Sequence, residues 1–158
     1  MPAETPRPAV DAAAAHRHFS AHCFNEAWTY IDKAERTPED EEAMLRLALA
    51  SHWHWTQRED FAPVNASIAY WQISRVFALM GQADNARRFG RRCLEAVGDD
   101  LPFYRGFGYE ALARAAALAG DLGEAARLVA LAREQAERVA DEEERRMLLS
   151  DLETIPSP

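Results

Sequence analysis

Along most of the chain apolar residues recur at intervals of three and four, as in Tyr70, Ile73 and Phe77 and again in Tyr109, Leu112 and Ala113. That spacing lines one face of a helix, and no segment alternates apolar and polar residues with the β-branched enrichment of a strand. Proline supplies the punctuation, because it costs ~3 kcal/mol in a helix interior but is tolerated in the first turn, whose amides have no partner. Between the two ends only Pro38, Pro63 and Pro102 occur. Thr37-Pro38-Glu39-Asp40 offers a capping hydroxyl, a proline and acids that suit the positive end of a helix dipole. Asp60 to Asn65 and Asp99 to Pro102 give two further starts, Asp141 caps a last helix opened by Glu142 to Glu144, and Gly81, Gly98 and Gly120 read as stops. Seven helices follow, at roughly 9–35, 38–57, 64–80, 83–97, 102–119, 122–139 and 142–154. Linkers of two to six residues between them make successive helices antiparallel neighbours.

Sliding the sequence by 39 aligns Tyr70–Ala96 with Tyr109–Gln135 and gives eight identities, among them Tyr70/Tyr109, Arg75/Arg114, Gly81/Gly120 and Ala86/Ala125. A duplicated helical hairpin is the economical explanation, and stacked hairpins bury stripes that one hairpin leaves open. The pattern resembles the tetratricopeptide repeat, whose order of aromatic, aliphatic, small, aromatic, then alanine, bulky, alanine is met by Tyr70, Ile73, Ser74, Phe77, Ala86 and Cys93, and by Tyr109, Leu112, Ala113, Ala125, Val129 and Ala132. Gly90 and Ala116 depart from it, the closing proline is missing and the period is long. Pro63-Val64-Asn65, Trp71 to Val76 and Tyr109 to Arg114 are also similar to segments of a short uncharacterised bacterial family of this architecture, which carries no known activity. Aligning Ala43 with Ala86 draws a degenerate first repeat, with Trp28 opposite Trp71 and Asp32 opposite Arg75. The expected fold is all-α: a tetratricopeptide-like right-handed stack of three helical hairpins plus a C-terminal capping helix, one domain over 9–155 behind a disordered tail over 1–8.

Composition narrows the function classes. A chain of 158 residues buries roughly 70% of its unfolded surface, enough for a core without disulfides or a structural metal. Cys23 and Cys93 are too few and too far apart for a metal knuckle or redox motif, and read as small buried hydrophobes of a reduced, cytoplasmic protein. The 26 acidic against 18 basic side chains, net −8, oppose nucleic acid and anionic lipid as partners. No apolar window approaches a membrane span, and the proline-rich start carries no secretory pattern. One lysine against 17 arginines suits a GC-rich bacterial genome.

Candidate chemistry is sparse. His18, His22 and Glu26 share one helix face, and His52 or His54 from the next helix would complete a divalent-metal site of the helical-bundle type, the basis of an alternative reading as a small metal-dependent enzyme. The blander reading has His52, Trp53, His54 and Trp55 alternate between core and solvent in an aromatic seam. No nucleophile elbow, Gly-rich phosphate loop or HExxH motif occurs, so no enzymatic activity and no cofactor are expected. Arg87, Arg88, Arg91 and Arg92 read as a solvated face. The resemblance implies that the first helices of the hairpins line a concave groove, which would hold Trp28, Asp32, Trp71, Arg75, Glu110 and Arg114. Two planar cations beside an aromatic ledge suit an acidic or carboxylate-terminated peptide. Their competing role is an internal ladder from Arg75 to Glu110 or Asp32. The expected function is a non-enzymatic protein- or peptide-interaction module, with a structural homodimer through Trp53, Trp55 and Trp71 as the other alternative.

Overall fold

Seven helices and no strand occupy the residues described by the computed structural model, 10–156: α1 Ala12–Ile31, α2 Pro38–Thr56, α3 Pro63–Leu79, α4 Ala83–Glu95, α5 Pro102–Leu118, α6 Leu122–Arg138 and α7 Glu142–Glu153. The expected tail over 1–8 lies outside those residues. Local chemistry sets the starts. Asp11, Thr37, Asp121 and Asp141 each accept a bond from the backbone N–H three residues on, at 2.9–3.2 Å. Asp40 returns the bond to the Thr37 N–H, closing a capping box. Within the expected start over Asp60 to Asn65 the cap of α3 is Ala62, whose N–H donates to Asn65 Oδ1 at 2.9 Å, while Asp60 pairs with Arg58.

The first helix ends at Ile31, short of the expected 35. Arg36 folds back so that Nη1 donates to the carbonyls of Ile31 and Lys33 at 3.1 and 2.6 Å, satisfying acceptors that a helix end leaves open. Thr37 must in turn be extended, with ψ of 163°, to cap α2. A helix cannot run through that segment.

The hairpins α3–α4 and α5–α6 turn in the same way. Gly81 and Gly120 take φ of +73° and +81°, the left-handed region that favours glycine. The next residue's N–H reaches back to Phe77 O in one turn and Ala116 O in the other, at 2.9 and 3.0 Å, the Schellman closure. Past each turn an alanine, Ala86 or Ala125, is wholly buried where the returning helix crosses. Gly90, out of place in the repeat pattern, has its reason at the next crossing: a Cβ there would lie 3.1 Å from Leu112 Cδ2.

Each helix packs against its successor, α3 also packs on α5, and α7 lies across α5 and α6. Two apolar clusters result. One joins Ala27, Ile31, Met44, Ala48, Ile73 and Val76 of α1 to α3; the other joins the alanine-rich faces of α5 and α6 to Leu148, Leu152 and Ile155. A Cβ on Gly106 would collide with Leu148, so the bare glycine is what seats α7. Buried hydroxyls and an amide tie neighbouring helices through their carbonyls: Ser51 to Ser20 O, Ser67 to Cys93 O, Ser74 to Ala86 O and Gln72 to Phe24 O, at 2.7–3.0 Å. Each meets the need of a buried polar group for a partner. No described helix is long and apolar enough to cross a membrane.

Candidate functional site

Four of the six groove candidates meet. Glu110 of α5 has no solvent exposure, and its carboxylate is the centre of the assembly. Oε1 accepts from Arg75 Nη2 of α3 at 3.1 Å and from Arg114 Nε, one turn on, at 2.8 Å; Oε2 accepts from Trp71 Nε1 at 2.8 Å. The Arg75 guanidinium stands 5.3 Å from the Trp71 ring centre. Trp28 packs on the outer side of Trp71, with ring centres 5.7 Å apart. Asp32 is not brought in. It terminates α1, exposed, with its N–H on Trp28 O, and the second carboxylate facing Arg75 comes from α7 instead: Asp151 Oδ2, at 3.1 Å. Arg114 also donates to Asp151 O and Thr154 Oγ1, at 3.2 and 2.8 Å.

Two arginines therefore face two carboxylates of the same chain, and the cluster is neutral. Burial, the larger influence on Asp151, raises its pKa above the ordinary carboxylate value, while Arg75 pulls it down. Arg114 spends Nε and Nη2 on internal acceptors and Arg75 spends Nη2 on both carboxylates, while Arg75 Nε is buried without a hydrogen-bond partner, so an incoming carboxylate meets two cations whose charge is already balanced.

The rings make a longer feature. From Trp28 of α1 the row continues through Trp71 of α3 to Phe107 of α5, 5.3 Å on and edge to face at 74°, and then to Phe103 at 5.1 Å and 80°. All four rings are partly exposed. Beside the row, between α3, α4, α5 and α7, lies a cavity of about 240 Å³, nearly all apolar, lined by Ile68, Trp71, Phe103, Tyr104, Phe107 and Met147, with Ser67 and Cys93 at its buried floor.

The histidines do not converge. His18 and His22 stack on each other on α1, 5.4 Å between ring centres, while His52 packs on Tyr70 and Phe61. Among the described residues no three His, Cys, Asp or Glu side chains gather around one point, so His18, His22, Glu26 and His52 do not form the ligand set that their spacing suggested. His54 meets His16, Nδ1 to Nδ1 at 2.9 Å, a pair in which one ring donates and the other accepts. The expected alternation of the 52–55 segment gives way to helical geometry, with Trp53 55% exposed and the other three half-buried. Trp53, Trp55 and Trp71 have separate neighbours: His16, the Arg58 guanidinium and the Trp28–Phe107 row. Arg88, Arg91 and Arg92 are exposed on the outer face of α4, with Arg92 against Tyr70 and Arg87 against Asp84. Cys23 and Cys93 are free and buried, and burial pushes the Cys93 thiol up to about 12.

Asp151 and the cavity escape a reading of the sequence. Asp151 is 76 residues from Arg75, and its only local signal is that it lies three residues past Leu148, on the flank of the stripe that α7 buries. The cavity had a clue in the repeat, since Ile68 and Phe107 stand 39 apart at equivalent positions and both line it. No protein-family model, no curated protein and no solved structure matches this chain.

Proposed function

We propose that the chain is a non-enzymatic interaction module: a tetratricopeptide-like, right-handed stack of three helical hairpins closed by α7, binding a protein or peptide partner along the face built by α1, α3 and α5. The observation that carries this reading is the row of rings Trp28, Trp71, Phe107 and Phe103, which crosses three helices from three hairpins and leaves every ring partly exposed. Large, stiff aromatic surfaces supply most of the binding energy where helical scaffolds meet partners, because they bury much area at little entropic cost. The like-built turns at Gly81 and Gly120 support the stacked-hairpin reading.

The neutral Glu110 cluster changes the expected chemistry of the partner. With the charges of Arg75 and Arg114 already balanced by Glu110 and Asp151, the face favours an apolar or aromatic segment over an acidic one. Panning a displayed random-peptide library on the folded protein tests this: recovered peptides should be rich in aromatic and branched apolar residues and should bind Phe107→Ala at least tenfold more weakly. Peptides that bind wild type and Phe107→Ala alike, or enrichment no greater than on an unrelated helical bundle, would remove the reading. Enrichment in acidic peptides that depends on Arg75 would restore the carboxylate clamp.

A further inference from the structure

The cavity between α3, α4, α5 and α7 has a chemistry of its own. Two of its polar groups are already committed, Ser67 Oγ donating to Cys93 O at 3.0 Å and Trp71 Nε1 to Glu110, and Tyr104 adds one neutral hydroxyl; no charged side chain lines it. The Cys93 thiol hydrogen-bonds with Ser67 Oγ, at 3.4 Å, and burial keeps it protonated, so it is neither a nucleophile nor a metal ligand there. A charged guest would lose its hydration and meet no opposite charge. An apolar guest meets the opposite situation, because water in such a space finds too few polar partners to be held well.

Size and wall geometry narrow the guest further. An apolar cavity of ~150 Å³ holds benzene, so the present volume of about 240 Å³ scales to roughly ten heavy atoms, a fused two-ring system. Trp71, Phe107 and Phe103 already meet edge to face, the arrangement that aromatic quadrupoles prefer, and a flat ring laid beside them continues it. Met147 stands at the mouth, 54% exposed, where a flexible thioether can close over an aromatic edge.

We infer that this cavity is a binding site for one uncharged bicyclic aromatic group of indole or naphthalene size. The ring arrives either as a free small molecule or as a tryptophan side chain of a partner. The second source rests on the interaction-module reading, and the first stands without it.

Titration of the 15N-labelled protein with indole and, separately, with the capped tripeptide acetyl-Gly-Trp-Gly-amide tests the site and its source together. The readout is the indole N–H resonance of Trp71, assigned through Trp71→Phe. Saturable shifts of this resonance, with Trp53 and Trp55 unmoved, are expected at about 0.1–1 mM indole, the range of an efficient ligand with so few atoms. Met147→Trp, at an exposed position, puts the chain's own indole over the mouth and should weaken binding at least tenfold; Cys93→Leu fills the floor and should do the same, once its fold is confirmed by circular dichroism. Indole binding without tripeptide binding assigns the site to a small molecule, while tripeptide binding tenfold tighter than indole assigns it to a partner's side chain. Shifts from neither probe, unsaturable shifts of all four tryptophans, or affinity unchanged in Met147→Trp would overturn the inference. A peptide from the library that binds while the cavity takes neither probe would leave the module reading in place without this site.

Discussion

Trp71 of α3 and Glu110 of α5, paired by the 39-residue offset in the sequence, are bonded to each other, Nε1 donating to Oε2 at 2.8 Å. The 39-residue offset sets the two positions side by side on α3 and α5, one carrying a donor and the other an acceptor. Arg75 and Arg114, the next equivalent pair, both turn to the same carboxylate.

Glu110→Gln should therefore be among the most damaging single changes. It leaves the shape and the Trp71 bond but removes the buried charge that both arginines share, leaving Arg75 on the Asp151 carboxylate and Arg114 on neutral acceptors, and breaking a buried ion pair from one side costs ~3–5 kcal/mol. Urea unfolding monitored by circular dichroism checks it. Arg75→Ala should also lose stability, in contrast with a free binding arginine, whose removal would weaken a ligand and spare the fold.

Leu148→Ala should cost ~2–5 kcal/mol, because the side chain is wholly buried in the α5–α6 cluster. Gly106→Ala should cost ~1–3 kcal/mol by overpacking the same spot from the other side. Combined, the two should lose clearly less than their sum. Strict additivity in denaturant would mean that α7 does not seat on Gly106.

Substituting alanine at Gly81 or Gly120 isolates backbone strain, since an added Cβ meets nothing within 4 Å at either site. Each change should cost about 1–2 kcal/mol, the left-handed penalty, and the two costs should agree. A marked difference between them would argue against like-built turns.

The histidines set a pH dependence. Burial holds His52 and His54 below the usual 6.5, helped by Arg92 for His52 and His16 for His54. Their folded forms bind fewer protons than the unfolded chain, so this stability is complete above pH 6.5 and is lost as the pH falls from there through the depressed values. The melting temperature should drop between about pH 7 and pH 5, and His54→Gln should shallow that drop. A flat profile in wild type would contradict the buried placement.

Cys93 provides an independent monitor of opening. With its pKa pushed up to about 12 and no exposure, it should resist iodoacetamide at neutral pH and react only as the chain opens. Rapid labelling of Cys93 under native conditions would show that α3 and α4 part readily.

Helix positions were readable because local chemistry decides them: Thr37 with Pro38, and Asp141 with its glutamates, start helices whatever lies around them. The repeat likewise disclosed the turn glycines and the buried alanines. The end of α1 is not legible in the sequence, because no local pattern says that the Arg36 side chain will cap it. The site was half legible. Trp71, Arg75, Glu110 and Arg114 were found through their 39-residue offset, but their shared carboxylate was not assigned a second one from α7, and Asp32 was drawn in by an alignment that the structure does not follow. Long-range pairing depends on how α7 lies across α5, a matter of Gly106 and Leu148 that helical periodicity does not encode.

In a stack of hairpins each unit touches mainly its neighbours, and such arrays behave as a linear chain of coupled segments that can fray from either end. The contact between Arg75 and Asp151 spans 76 residues and links the last helix to the middle hairpin. It closes a loop of couplings through α5, which packs on both α3 and α7, so the opening of α7 weakens a tie that also holds α3. Hydrogen exchange should then show α3, α5 and α7 opening as one cooperative block, with fraying left to α1 and α2.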